Sequence, residues 1–367
     1  MNSLVFSNML HRPARTIVSV VGIGIGILLI VFTVGLANGS LRERAQREAN
    51  VGAEIMLRAS GSLGLSGSEA FRLPESLASE IADSEGVAAA IPIAQNTVSV
   101  KDATTGTRLV DGIRYDDYSR VAGLSMVKGR AFVPGADEVI ADSAWADQKK
   151  LSIGDKMPLY ERDFTLVGIY EPGAGARIKI PLDRMQEQLG SEGKVSAILV
   201  KVKDGLNPED VAASLHEKFP DSQIILTREL EELYMQSIPA LNVFLNVVIG
   251  VAGAVSALII LLTMYTTVTE RTKQIGVLKS LGMSNAGIGW VIIQEALMIS
   301  LGGVAFGVAA TYVLKLILGR TSTLHVEIET SVVLTIIVIG ILSGIIGALY
   351  PGLRAARLDA VEALSYE

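Results

Sequence analysis

No cysteine occurs in the 367 residues, which excludes disulfides, thiolate metal sites and cysteine nucleophiles together. Histidine is nearly as scarce: His11, His216 and His325 are far apart, and none stands within metal-ligand spacing of another. A GxxxxGK[ST] phosphate loop is missing too, since Gly193-Lys194 is followed by Val195 rather than Ser or Thr. Hydrolytic, redox and metal chemistry therefore find little support.

What the sequence does have is long stretches without charge. Thr16–Asn38 and Leu233–Thr269 carry none, and both exceed the roughly 20 residues that cross a bilayer. A third apolar span lies within Ile288–Leu318 and a fourth within Val332–Leu349. The first reads as an uncleaved anchor, because its apolar run is too long and its basic flank too weak for a secretory signal. The expected fold is an α-helical membrane protein with four transmembrane helices, one plus three, and an α+β extracytoplasmic domain between the first and second. The segments are 1–38 (stub and helix one), 39–237 (outer domain with stalk helices), 238–269 (helix two), 270–284 (a cytoplasmic coupling helix), 285–318 (helix three), 319–331 (outer loop), 332–350 (helix four) and 351–367 (tail).

Lysine and arginine in the short flanking segments set the orientation. The stub has Arg12 and Arg15, the loop after span two has Arg271, Lys273 and Lys279 against Glu270, and the tail has Arg354 and Arg357. The loop between spans three and four instead sets Arg320 against Glu327 and Glu329. Both termini are expected to be cytoplasmic, in a multi-pass protein of the cytoplasmic (inner) membrane. The outer block, residues 39–237, holds 23 basic and 31 acidic residues, so its acidity gives no reason to expect nucleic acid. Each cytoplasmic piece is under about twenty residues, well below what folds alone, so a nucleotide engine is expected on another polypeptide.

Within the outer block, Gly39–Ala49 is a charged helical pattern that extends span one as a stalk, and Thr227–Gln236 begins with a Thr cap and leads into span two. Between them the pattern predicts a helix over Pro74–Ser84, strands over Val87–Val100, Thr107–Ile113, Asp163–Tyr170, Ala197–Lys203 and Gln223–Leu226, and a helix over Pro208–Phe219. A turn is expected at Asp102–Gly106, and Ser60–Ser68 reads as a flexible glycine and serine loop.

The loop after span two, ERTKQIGVLKSLGMS from Glu270 to Ser284, places Ile275, Leu278 and Leu281 three apart on one helical face, with Arg271, Lys273 and Lys279 at polar positions and Gly282 as a helix stop. Such a helix at a membrane edge lies in lipid headgroups or docks on a protein. The spans carry small residues at four-residue spacing, Gly22 with Gly26, Gly250 with Ala254, Gly303 with Gly307 and Gly340 with Gly344, which suits close helix packing within the chain or in a dimer. Glu295 stands inside span three, about 15 Å from its start by helix rise. It is either functional or an acid that reaches a neighbouring helix or the interface.

ERTKQIGVLKSLG resembles the signature loop of the FtsX/MacB-type family of ABC transporter permeases. Tyr350–Leu364 (YPGLRAARLDAVEAL) is similar to the family's closing motif, and Lys128-Gly129-Arg130, Glu138-Val139-Ile140, Gly154-Asp155 and Phe164–Gly168 resemble its periplasmic core. Two positions depart: Gln274 where the family usually has Glu, and Ala360 where it usually has Pro. The resemblance implies a non-catalytic permease subunit with no cofactor or metal of its own, working with an ABC ATPase subunit that carries ATP and Mg, and with a second permease copy or homologue. It also implies mechanical transmission through Arg271, Lys273, Gln274, Ile275, Leu278, Lys279, Leu281 and Gly282. Export with a periplasmic adaptor or outer-membrane partner, lipoprotein extraction and control of a cell-wall hydrolase all fit the layout. A membrane-tethered sensor or scaffold without ATPase is the reading from another class.

The missing cysteines make the topology directly testable. Single cysteines at Ser62 and Ser280 are labelled in intact cells with an impermeant thiol reagent. Labelling at Ser62 alone is expected; labelling at Ser280 alone inverts the orientation.

Overall fold

A computed structural model describes residues 13–60, 71–100, 106–236, 239–321 and 326–359. The chain divides into two compact units, one drawn mainly from Ser40–Ile238 and the other from the segments before and after it. The first helix, α1 (Pro13–Ala49), contributes its apolar length to the second unit and its charged end to the first.

The unit within Ser40–Ile238 continues through β1 (Ile55–Ala59), β2 (Leu73–Pro74), α2 (Leu77–Ala82), β3 (Val87–Val100), β4 (Gly106–Ile113), α3 (Tyr115–Ala122), β5 (Ser125–Gly129), β6 (Glu138–Asp142), α4 (Ser143–Lys149), β7 (Lys156–Leu159) and β8 (Arg162–Glu171). It closes with β9 (Ile178–Pro181), α5 (Leu182–Gln188), β10 (Lys194–Val195), β11 (Ala197–Val202), α6 (Pro208–Lys218), β12 (Ser222–Leu226), a 3-10 turn at Thr227–Glu229 and α7 (Leu230–Gln236). One ten-stranded sheet dominates, ordered β12-β1-β11-β3-β4-β9-β6-β8-β5 with β7 paired to β8. Its long strand β3 holds it together, pairing antiparallel with β11 along its first half and with β4 along its second.

Alternation along the strands sends residues to two separate cores. Ile55, Leu57, Ile198 and Val200 pack with α2, α4, α5 and α6 on one face. Met56, Ala197, Leu199 and Ile91 pack on the other, with α3, α7 and Ala45 of α1. A strand with both faces covered needs no polar alternation, which is why β11 reads as the continuous apolar run AILV. Local chemistry sets the helix starts: the Asp142 carboxylate accepts from the Trp145 amide at 2.7 Å to open α4, and Asn207 caps α6 with Pro208 in its first turn.

The strands expected from alternation are present with small boundary shifts. The helix expected over Pro74–Ser84 is shorter, because Leu73 and Pro74 pair instead with Val195 and Lys194. The Thr227 cap also differs: its hydroxyl donates to the carbonyls of Ala53 and Glu54, and the α-helix begins only at Leu230. The expected glycine and serine loop over 61–68, the turn at 102–105 and Ala360 lie outside the described residues.

In the other unit, α1, α8 (Pro239–Glu270), α10 (Asn285–Thr321) and α11 (Thr330–Arg357) are each long and apolar enough to cross a membrane, and α9 (Thr272–Ser280) links α8 to α10. Helix α11 does not stop near residue 350; it runs through Pro351 to Arg357. The small-residue pairs divide. A methyl on Gly303 would meet Ile23 Cγ2 at 2.5 Å and one on Gly307 would meet the Gly24 carbonyl at 2.6 Å, so this pair seats α10 directly on α1. Gly340 and Gly344 face Val304 and Ser300, and Ser300 Oγ donates to the Gly340 carbonyl at 2.6 Å. Gly22 has only Ile259 nearby, Gly26 and Gly250 have open space, and Ala254 is exposed.

Gly307→Ala forces a methyl onto backbone and is expected to cost about 1–3 kcal/mol, whereas Gly26→Ala costs nothing or stabilises slightly. Denaturation midpoints of the two variants in detergent check this, and equal midpoints contradict the packing described.

Candidate coupling site at the basic end of the membrane helices

The junction from α8 to α10 is built by hydrogen bonds that the sequence specifies. Arg271 ends α8, its amide still bonded to the Thr267 and Val268 carbonyls. Helix α9 then runs to Ser280 and closes on Gly282, whose φ of +92° is the left-handed conformation that glycine adopts without strain. The amides of Gly282 and Met283 donate to the carbonyls of Lys279 and Leu278, satisfying the last turn. Ser284 Oγ accepts from the Gly287 amide at 3.1 Å and opens α10.

The residues expected on one outward face of α9 are divided between its two sides. Ile275 turns inward and packs with Met264, Val268, Ile288 and Ile292. Lys279 also reaches back, its Nζ donating to the carbonyls of Ala356 at 2.8 Å and Leu358 at 2.6 Å, which fastens α9 to the end of α11. A cation there also opposes the negative end of the helix dipole. Leu278 is half-buried, Lys273 and Gln274 are exposed, and Leu281 is 80% exposed just past the helix end. Val277 is exposed as well and lies one turn from both Lys273 and Leu281, completing an outward face of Lys273, Val277 and Leu281 with Gln274 beside it. The three-residue spacing concealed Val277; a four-residue spacing read from Lys273 would have found it.

Behind α9 lies a cavity of about 330 Å³ walled by Val268, Ile275, Leu278 and Ile292. Its polar elements include Arg271 and Glu295, with the guanidinium Nη1 3.6 Å from the carboxylate Oε2. Glu295 is 6% exposed, so the acid inside α10 is matched to the cation that opens α9. At the same end of the bundle, Arg15 of α1 donates from both terminal nitrogens to Glu270 at 2.9 and 2.5 Å, and Tyr265 stacks on Tyr350 beneath Arg354. Charges and rings thus tie the ends of α1, α8, α10 and α11 together.

Residues 16–218 match the family described as the MacB-like periplasmic core domain, and residues 246–360 match the FtsX-like permease C-terminal family. The chain belongs to the MacB/FtsX family of ABC transporter permeases. It is 24% identical over 235 residues to an uncharacterised ABC transporter permease of Methanocaldococcus jannaschii, covering 60% of this chain and 59% of that one. It is 23% identical over 381 residues to the macrolide export ATP-binding/permease protein MacB of Vibrio parahaemolyticus, covering 97% of this chain and 58% of that one. The chain therefore spans under two thirds of the length of these relatives. The crystal structure of the periplasmic region of MacB from Actinobacillus actinomycetemcomitans overlaps 51% of this chain and 95% of its own, at 15% identity and a TM-score of 0.39.

A second constellation of this permease went unread in the sequence. Glu48, 2% exposed near the end of α1, accepts from the Tyr234 hydroxyl of α7 at 2.6 Å, with Arg44 and Arg58 guanidinium nitrogens 3.5 and 3.8 Å away. Arg42 of α1 pairs with Glu231 of α7 at 2.5 Å. The two segments that lead toward spans one and two are therefore fastened to each other by the Glu48 carboxylate, by the Arg42–Glu231 ion pair and by the Arg44 guanidinium over the Tyr234 ring. From Arg58 the chain of bonds continues through Gln95 and Asp111 to Lys179, whose Nζ is 3.0 Å from Asp111 Oδ2 in the core of the sheet. Burial pushes the Lys179 pKa down against the opposing pull of Asp111, and burial pushes the Tyr234 hydroxyl up. Among the described residues no group of three or more His, Asp or Glu is placed to hold a metal ion.

Lys279→Met removes the donor from the end of α11 at a cost of about 1–3 kcal/mol, so trypsin should cleave after Lys273 roughly tenfold faster. Unchanged cleavage means that Lys279 does not hold α9 down.

Proposed function

We propose that this chain is the force-transmitting permease of an ABC transporter, with both termini in the cytoplasm, and that an ABC ATPase docks on the outward face of α9. One observation carries the reading: α9 presents Lys273, Gln274, Val277 and Leu281 outward while its inner side is fastened to other helices by Ile275, by Lys279 and by Arg271 with Glu295. A push on such a helix reaches the spans rather than being absorbed by a loop. Helix α1 is unbroken from Pro13 to Ala49, and its outer end is joined to α7 by Glu48, so motion of the spans has a route into the mixed sheet.

ATP and Mg belong to the ATPase in this reading, and the permease works as a pair with a second copy or a homologue. The curated relatives named for macrolide export favour export or extraction of a substrate at the outer face, with an adaptor where a second membrane must be crossed. A sensor or scaffold reading would leave the exposed Val277 and Leu281 to the lipid headgroups.

Purification of the full chain from native membranes should bring down an ABC ATPase in equal amount. Val277→Asp and Leu281→Asp each place a charge in the contact and should weaken that association about thirtyfold, the effect of losing one strong interface residue. Lys149→Asp, on the outer domain, should not. Absence of an ATPase from the wild-type preparation, or its full retention by both α9 variants, refutes the coupling reading.

A further inference from the structure

A groove of about 390 Å³ lies between the first turns of α10 and the last turns of α11, apart from the outward face of α9. It exists because the two helices meet at bare backbone. A methyl built on Gly289 would lie 3.7 Å from the Gly352 carbonyl, and one on Gly352 would lie 3.6 Å from the Gly289 carbonyl. Side chains therefore flank the crossing instead of filling it. The wall toward the membrane interior is apolar, formed by Ile293, Leu349 and Leu353. The rim carries Arg357, Asn285 and Trp290, the last 51% exposed, and among the described residues no Asp or Glu lines the groove.

We infer that this groove is a binding site for an anionic phospholipid, with the phosphate-bearing headgroup at Arg357 and one acyl chain along Ile293, Leu349 and Leu353. The flank of two spanning helices is bathed in acyl chains, so its natural occupant is an amphiphile rather than a water-soluble ligand. Charge selects which one. Among the described lining residues the rim offers a guanidinium and an amide without an opposing carboxylate, and basic pockets between membrane helices recognise anionic headgroups. The exposed indole suits the headgroup boundary, where Trp sits with an apolar body and a polar tip. This inference requires only that α10 and α11 span a bilayer, and does not rest on ATPase docking.

The full chain, purified in detergent, is titrated with palmitoyl-oleoyl-phosphatidylglycerol or the matching phosphatidylcholine, and bound lipid is counted by native mass spectrometry. Phosphatidylglycerol should be retained over phosphatidylcholine. Arg357→Gln should reduce phosphatidylglycerol retention about fivefold, the effect of one basic residue at a lipid surface, and leave phosphatidylcholine unchanged. Gly289→Leu fills the groove and should reduce both lipids, while Gly289→Ala, whose methyl stays at ordinary contact distance, should reduce neither. If Gly289→Leu does not fold, Arg357→Gln alone decides. Equal retention of the two lipids by the wild type, or undiminished phosphatidylglycerol on Arg357→Gln, overturns the site. Loss of a copurifying ATPase on Arg357→Gln with lipid retention intact would make the groove a protein-docking surface and also overturns it.

Discussion

A charge in hydrocarbon must be neutralised or carried to the surface, and this constraint organises the basic end of the membrane helices. Glu295 is the acid inside the spans, and its answer is Arg271, the residue at which α8 ends and α9 begins. That pairing sits where α9 starts. Once it starts there, Ile275 falls into the apolar cluster, Lys279 reaches the carbonyls at the end of α11, and Val277 and Leu281 are left facing out. Removing one partner of a buried pair costs about 3–5 kcal/mol because the other charge is left uncompensated, so Arg271 and Glu295 hold their places together.

The outer domain uses the same device in a different solvent. Glu48, Arg58, Asp111 and Lys179 are nearly or fully buried, and each sits in a chain of polar contacts running from the end of α1 into the sheet. A buried network of this sort gives little net stability over an apolar core of equal volume. What it does give is directionality, since its members hold only when geometry and charge are both satisfied. The network begins where α1 and α7 meet.

Much of this was legible in the sequence. Apolar runs located four membrane helices, and strand-like patterning located β3, β4, β8 and the apolar run of β11, because long elements with one dominant pattern are set by burial alone. The short elements β5, β6 and β9 were not legible. Each has four or five residues and draws its identity from neighbours distant in the chain, such as the parallel pairing of Val110 with Ile178. Glu48 was hidden in a charged run that reads as a solvated stalk, and only the tertiary approach of Tyr234 reveals it as buried. Helix α9 was half legible: its stop at Gly282 follows from local chemistry, whereas which side faces out depends on contacts such as that of Arg271 with Glu295, twenty-four residues further on.

In the proposed mechanism, force entering at α9 reaches the junction of α1 and α7. Hydrogen exchange of the permease in complex with the proposed ATPase, with and without a trapped nucleotide, tests it most directly. The account predicts that amide protection in residues 40–49 and 230–236 changes together with that in α9 when nucleotide is bound. A change confined to α9, with both outer segments unaltered, would contradict it.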